Sequence, residues 1–283
     1  MSKRVLKNGR SKILYVTDLD GTLMHDNKKI SEYTVNTINR YIEQGMMITY
    51  ATARSFESAW EITKHINFRI PVITRNGTVL ADQLERREID FYSFSTNEIV
   101  LLKSILDGVI DTLGFVTSYF DNIMTKTYRD VNLSSGFQKY VDEHKNDGRM
   151  RAVGMKEDIF DGVVTYVTLI ADKEELIPIY RKIKGLGRWE CVFQKDKYGD
   201  EFWLEIFPQN ATKAKAVLRC KEMLNCDEVV VFGDSLNDLS MFRVADKACA
   251  VANAMDEVKE LSTVVIQNNN NDGVAKYLSE NWK

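Results

Sequence analysis

Apolar residues follow two rhythms along this chain. A short unbroken run, Ile13-Leu14-Tyr15-Val16, gives way to apolar positions at helical spacing, Val35, Ile38 and Ile42. An unbroken run of about four to eight apolar residues suits a strand buried on both faces. A period of three to four suits a helix with one buried side. Ser31 can cap that helix and Gly45 can end it. The alternation continues with a strand over Met46–Ala51, a helix over about 55–65 and a third strand over Ile70–Ile73. It returns late in the chain, with a helix from about Lys213 to Leu224, the apolar run Val229–Phe232 and a short helix near Leu236–Phe242. Small strands near 248–251 and 264–266, a polar turn at Asn268–Asn271 and a last helix from Gly273 complete it. Strands and helices in strict alternation predict a parallel sheet with crossover helices.

The middle of the chain has another texture. Aromatic and β-branched strands are predicted at 115–119, 163–170, 191–194 and 202–207, with helices over about 96–113 and 173–184. The expected architecture is therefore α/β: residues 1–82 and 208–283 form a Rossmann-like core, and residues 83–207 form an inserted α+β domain.

Composition changes this picture little. Of 283 residues, 44% are hydrophobic and 28% charged, enough apolar material for a core without disulfide staples. The net charge of −3 offers no basic stripe for nucleic acid, so an anionic substrate must be met by local positive charge. Cys191, Cys220, Cys226 and Cys249 form no CxxC pair, which fits reduced thiols in a cytoplasmic protein. The basic N-terminus lacks the apolar stretch of a signal peptide, and no run reaches the ~20 apolar residues of a membrane helix. The expected partner is a small molecule; the oligomeric state is left open.

The chemistry gathers at strand ends. Directly after the first strand stands Asp18-Leu19-Asp20-Gly21-Thr22-Leu23, and after Val229–Phe232 stands Gly233-Asp234-Ser235-Leu236-Asn237-Asp238. Residues past the carboxyl end of a parallel strand face the ligand crevice. An acidic turn that merely ends a strand would explain either segment alone. Together, two acidic clusters suit a hard divalent cation with oxygen ligands, Mg²⁺ in particular, and no EF-hand spacing supports Ca²⁺. Thr52 follows the second strand, where it could cap a helix. Lys213 opens a helix against the dipole, a local conflict that suggests another use, with Lys215 as the rival. Asn76-Gly77 reads as a tight turn.

These segments resemble the four motifs of the haloacid dehalogenase superfamily: DxDGTL, Ala51-Thr52-Ala53-Arg54, Lys213 and GDSLND. Asn76-Gly77, the run Asn253 to Lys259 and the tail Asn271-Asp272-Gly273-Val274-Ala275 resemble its Cof-type phosphatase branch. One departure is Ala53, where the family usually has glycine. The resemblance implies a Mg²⁺-dependent phosphomonoesterase acting on a small metabolite such as a sugar phosphate, with the insert as a C2-type cap. It implies Asp18 as nucleophile, Asp20 as general acid and base, and Thr52 and Lys213 as further catalytic residues. Metal would be held by Asp18, the main-chain carbonyl of Asp20 and Asp234, supported by Asp238. Substrate would meet Thr52, Arg54, Asn76, Gly77 and Asn237, and within the cap Asp121, Asn122, Tyr128 and Arg129 are polar candidates. Transfer to a sugar hydroxyl, and a regulatory protein that kept the fold, are the alternatives. A dehalogenase has no need of the second acidic cluster.

Overall fold

The computed structural model describes residues 11–196 and 199–282, so the basic N-terminal segment lies outside it. The strands are β1 (Ile13–Thr17), β2 (Met47–Tyr50), β3 (Val72–Thr74), β4 (Val79–Asp82), β5 (Arg87–Phe91), β6 (Gly114–Phe120), β7 (Ile123–Tyr128), β8 (Met150–Ala152), β9 (Val163–Ala171), β10 (Trp189–Lys195), β11 (Phe202–Pro208), β12 (Glu228–Gly233), β13 (Lys247–Val251) and β14 (Val264–Ile266). The chain forms two compact units: Tyr92–Asn210 is one, and the described residues up to Phe91 and from Ala211 onward are the other. The sequence placed the first boundary after residue 82. The chain instead pairs β4 with β5 before it leaves, through a register from Val79↔Phe91 to Asp82↔Arg87.

The first unit is an α/β layer structure. Its sheet runs β14-β13-β12-β1-β2, every neighbour parallel, and β3 joins β2 only through the bridge Ala51↔Ile73. Helices cover the central strands β1 and β12, which is why both read as unbroken apolar runs. Leu14, Val16, Val229 and Val231 have no exposed surface. Helix Glu32–Glu43 begins at Ser31, whose Oγ accepts from Thr34 N at 3.0 Å, and Gly45 takes φ 94° just beyond its end. Helix Phe56–Thr63 is capped by Ser55 and not by Thr52. Because the strands are parallel, the segments after β1, β2, β12 and β13 all emerge on one edge of the sheet.

The second unit is a six-stranded sheet, β10-β11-β9-β6-β7-β8, antiparallel except for the β7–β8 pair. Period-two alternation splits its faces. Val116, Leu169 and Leu204 pack with Leu102 and Leu106 of helix Thr96–Leu106 and Leu176 and Ile183 of helix Lys173–Leu186. Phe115 and Ile170 pack instead with Phe137 and Tyr140 of helix Ser135–Glu143. The single long helix expected over 96–113 is broken, because Asp107 is not helical and Gly108 turns at φ 70°. Strand β7 and helix Ser135–Glu143 escaped the sequence reading, since the strand carries a buried lysine, Lys126, where an apolar residue would have signalled it.

That lysine is satisfied: its Nζ donates to Tyr140 Oη at 2.7 Å and reaches Asp147 Oδ2 at 3.4 Å. Burial raises the Asp147 carboxyl, but hydrogen bonds and charge from Arg149, with Lys126 behind them, bring it down to about 2. A carboxylate depressed below its ordinary 3.8 stabilises the fold above that pH, and the contribution fades as pH falls toward 2. Asp147→Asn should therefore lower the thermal midpoint at neutral pH and lose less further stability than the parent between about pH 4 and pH 2. Parallel acid limbs in thermal unfolding would refute the assignment.

Candidate active site

β1 ends at Thr17, and Asp18 follows in extended backbone, its N–H donating to Phe232 O at 2.9 Å. The chain then tightens into the turn Leu19–Leu23, which Gly21 permits with φ 81°. Asp18 is 3% exposed. Lys213 opens the helix Lys213–Met223 behind the cap Thr212 and is 1% exposed. Its Nζ donates to Asp18 Oδ1 and to Asp238 Oδ1, both at 2.7 Å. Burial alone would push this ammonium's pKa down; the charges of Asp18 and Asp238 overcome it and raise the pKa above the ordinary lysine value. The two carboxylates thus answer the conflict with the helix dipole. Lys215, the rival, is exposed and lends its backbone N–H to the Thr212 cap.

The second acidic loop is held by its own side chain. Asp238 Oδ2 accepts from the N–H groups of Asp234 (2.9 Å) and Ser235 (3.1 Å). That approach requires Gly233, where a Cβ would stand 2.7 Å from Asp238 Cβ. Asp234 Oδ1 accepts from Thr22 Oγ1 at 3.1 Å, so the two acidic loops touch. Asp18, Asp234 and Asp238 are all buried, each with a carboxylate oxygen within 4.8 Å of the others. Within this group three carboxylates face one ammonium. Two negative charges remain, the deficit that one divalent cation would neutralise, and an all-oxygen donor set suits a hard one.

The other expected residues lie around this group. Thr52 is 1% exposed; its N–H donates to Ile73 O at 3.0 Å, and its Oγ1 accepts from Arg54 N at 3.2 Å. Arg54 grips both oxygens of Asp20 through one guanidinium edge, Nε–Oδ2 and Nη2–Oδ1, each at 2.6 Å, and Nη1 reaches Ser58 Oγ at 3.1 Å. The side chain of Asp20 is therefore turned to Arg54 and stands outside the cluster of Asp18, Asp234 and Asp238. Ala53 is not among the residues with positive φ, so its methyl imposes no backbone strain. Asn76, at φ 54°, accepts at Oδ1 from Asn237 Nδ2 at 3.2 Å. Gly77, at φ 99°, lies so close to the helix start that a Cβ would fall 2.3 Å from Thr212 O. The Asn76-Gly77 turn thus links β3 and β4 and also seats the helix that carries Lys213.

Thr22 and Ser58 were missed as site partners; Thr22 follows Gly21 in the first motif, and Ser58 stands one helical turn beyond Arg54. Within the second unit the four polar candidates stand in different settings. Asp121 and Asn122, at φ 51° and 65°, form the two-residue turn between β6 and β7. Tyr128 is buried against Phe137, and Arg129 binds Asp111 Oδ1 at 2.7 Å, Glu157 O at 2.9 Å and Gly154 O. Among the described residues no helix is long and apolar enough to cross a membrane.

Known proteins match this chain along nearly their whole length. The haloacid dehalogenase-like hydrolase family matches residues 15–278. The 5-amino-6-(5-phospho-D-ribitylamino)uracil phosphatases YitU and YwtE of Bacillus subtilis are each 25% identical; the matches cover 94% and 93% of this chain and 96% of each relative. A crystal structure from Thermotoga maritima superposes with a TM-score of 0.74 at 26% identity, covering 97% of this chain and 98% of that one. A HAD/COF-like hydrolase from Plasmodium vivax shares the fold with a TM-score of 0.75 at 22% identity, covering 98% of each chain. This chain belongs to the haloacid dehalogenase-like hydrolases and, among them, to the Cof-type phosphatases.

Proposed function

We propose that the protein hydrolyses the phosphate monoester of a small polar metabolite through an aspartyl-phosphate on Asp18, with Mg²⁺ as cofactor. The observation that carries this reading is the buried Lys213 ammonium bonded at once to Asp18 and Asp238, with Asp234 beside them. A carboxylate approaching a phosphate dianion meets strong repulsion, and fixed positive charge must offset it. Lys213 supplies one such charge at the attacking group. Asp18, Asp234 and the main-chain carbonyl of Asp20 would hold the metal, with Asp238 fixing the loop and the lysine. Mg²⁺ held there would supply further positive charge to offset the negative charge of the phosphoryl group.

In the first step an Asp18 oxygen bonds to phosphorus, the bond to the ester oxygen breaks, and Asp20 gives that oxygen its proton. In the second, Asp20 takes a proton from water, the water oxygen bonds to phosphorus, and the acyl phosphate bond breaks to return Asp18. The grip of Arg54 on both oxygens of Asp20 suits the second role. A guanidinium accepts no hydrogen bond, so Asp20 carrying a proton can keep only its other oxygen on Arg54 and can turn toward the leaving group. Thr52, Asn76, Gly77 and Asn237 are assigned to the substrate phosphate, and Arg54 reaches it through Asp20. The activity for which YitU and YwtE are named, as phosphatases of a phosphorylated ribitylamino compound, supports a phosphorylated polyol or sugar-like substrate.

Hydrolysis of an aryl phosphate by the purified protein tests the reading directly. Turnover should vanish on chelation and return when Mg²⁺ is restored. Undiminished turnover in chelator would remove the acidic cluster as a metal site.

A further inference from the structure

The loop after β13 reaches both acidic loops. Asn253 Nδ2 donates to the carbonyl of Gly21, the residue after Asp20, at 2.7 Å. Two residues on, Met255 N–H donates to the carbonyl of Asp234 at 2.9 Å. Asn253 Oδ1 in turn accepts from Asn269 N–H at 3.0 Å, and Asn269 Nδ2 donates to Met24 O and to Asp26 Oδ1, both at 2.9 Å. Hydrogen bonds thus run from the C-terminal asparagine tract, through Asn253, to the middle of the turn that carries Asp20, and directly from Asn269 to the end of that turn at Met24.

That turn needs an outside support. Asp20 has ψ 109° and Gly21 has φ 81°, neither of them helical, so the backbone on either side of Gly21 is not fixed by a regular ladder. The carbonyl of Gly21 and that of Asp234 are held from a single short loop, Asn253–Met255, which ties the two acidic loops together in addition to the Thr22–Asp234 bond. Asn253 itself is exposed, where water could satisfy Gly21 without help. A side chain at such a place adds little to folding, yet a small misplacement of a reacting group is expensive in rate.

We propose that Asn253, braced by Asn269, is a positioning residue for the acid–base step: it fixes the Gly21–Thr22 peptide, one step along the turn from Asp20, and so holds the turn that aims the Asp20 carboxyl at the leaving oxygen. The inference rests on the aspartyl-phosphate reading above. Its signature is selective, because an alkoxide leaving group depends on a well-aimed proton donor and a nitrophenolate hardly does.

The experiment is quenched single-turnover release of the leaving group from an alkyl phosphate and from p-nitrophenyl phosphate, with Mg²⁺ present. Asp20→Asn is the reference, expected to lose far more rate on the alkyl ester than on the aryl ester. Asn253→Ala should show the same preference in miniature, about a tenfold loss on the alkyl ester and within about twofold on the aryl ester, with KM unchanged. Asn253→Asp keeps the acceptor for Asn269 but loses the donor to Gly21, and should behave like the alanine variant. Equal losses on both esters, no loss on either, or wild-type behaviour of Asn253→Asp would each overturn the proposal. If Asp20→Asn itself shows no preference between esters, the acid role of Asp20 fails, and the positioning role falls with it.

Discussion

Asp18→Asn should abolish turnover, with kcat down by about 10⁴-fold or more, while leaving the fold intact. The exchange is nearly isosteric, and its carbonyl oxygen can still accept from Lys213, whose second bond, to Asp238, is untouched. An amide oxygen is a far weaker nucleophile than a carboxylate, so the loss falls on the attack itself. Phosphate release from an aryl phosphate measures it, and thermal unfolding checks that the variant is folded. Acid-quenched parent enzyme should carry covalent phosphate that the variant lacks. A folded variant that keeps the parent rate would place the nucleophile elsewhere and turn attention to a protein that retained the fold for binding.

How much of this was legible depended on whether a residue's partner lies in its own segment. The strands β1 and β12 were readable because a strand covered on both faces must be apolar throughout, and Val229–Phe232 could serve as little else. The helix start at Lys213 was readable from a charge that sits badly on a helix dipole and so implies an acidic neighbour. The family resemblance points to Asp18, 195 positions away, but nothing local to the helix names it, and Asp238, 25 positions on, was not read as its second partner. Arg54 shows the same limit: its motif position was plain, but its bidentate grip on Asp20 depends on two loops meeting across the sheet edge. In the second unit the difficulty was chemical. A strand with a buried lysine, and a helix whose apolar face is made by Phe137, Tyr140 and Val141 over nine residues, give weak periodic signals. Tyr128 and Arg129, polar in sequence, proved to be core and latch.

Lys213→Met should cost both stability and rate, and the two losses have one electrostatic origin. Methionine matches the length of the lysine stem but brings no charge, leaving Asp18 and Asp238 facing each other where at most 3% of either residue is exposed. Removing one partner of a buried ion pair typically costs about 3–5 kcal/mol, because the remaining charge has neither water nor a counter-ion. The parent's pairing acts in full across the neutral range. A lysine pKa raised above its unfolded 10.5 contributes everything below that pH and fades only as pH rises through the folded value. The midpoint of denaturant unfolding in metal-free protein should therefore fall clearly at neutral pH. Added Mg²⁺ should narrow the deficit, since it answers the same carboxylates. Catalysis should not recover with stability: the ammonium sits at Asp18 Oδ1, where charge shifts as the acyl phosphate forms, and losing such a group costs about 10²–10³ in kcat. A variant as stable as the parent without metal would mean that the buried carboxylates find their compensation elsewhere. A variant that regained full rate with Mg²⁺ would reduce Lys213 to a structural counter-ion.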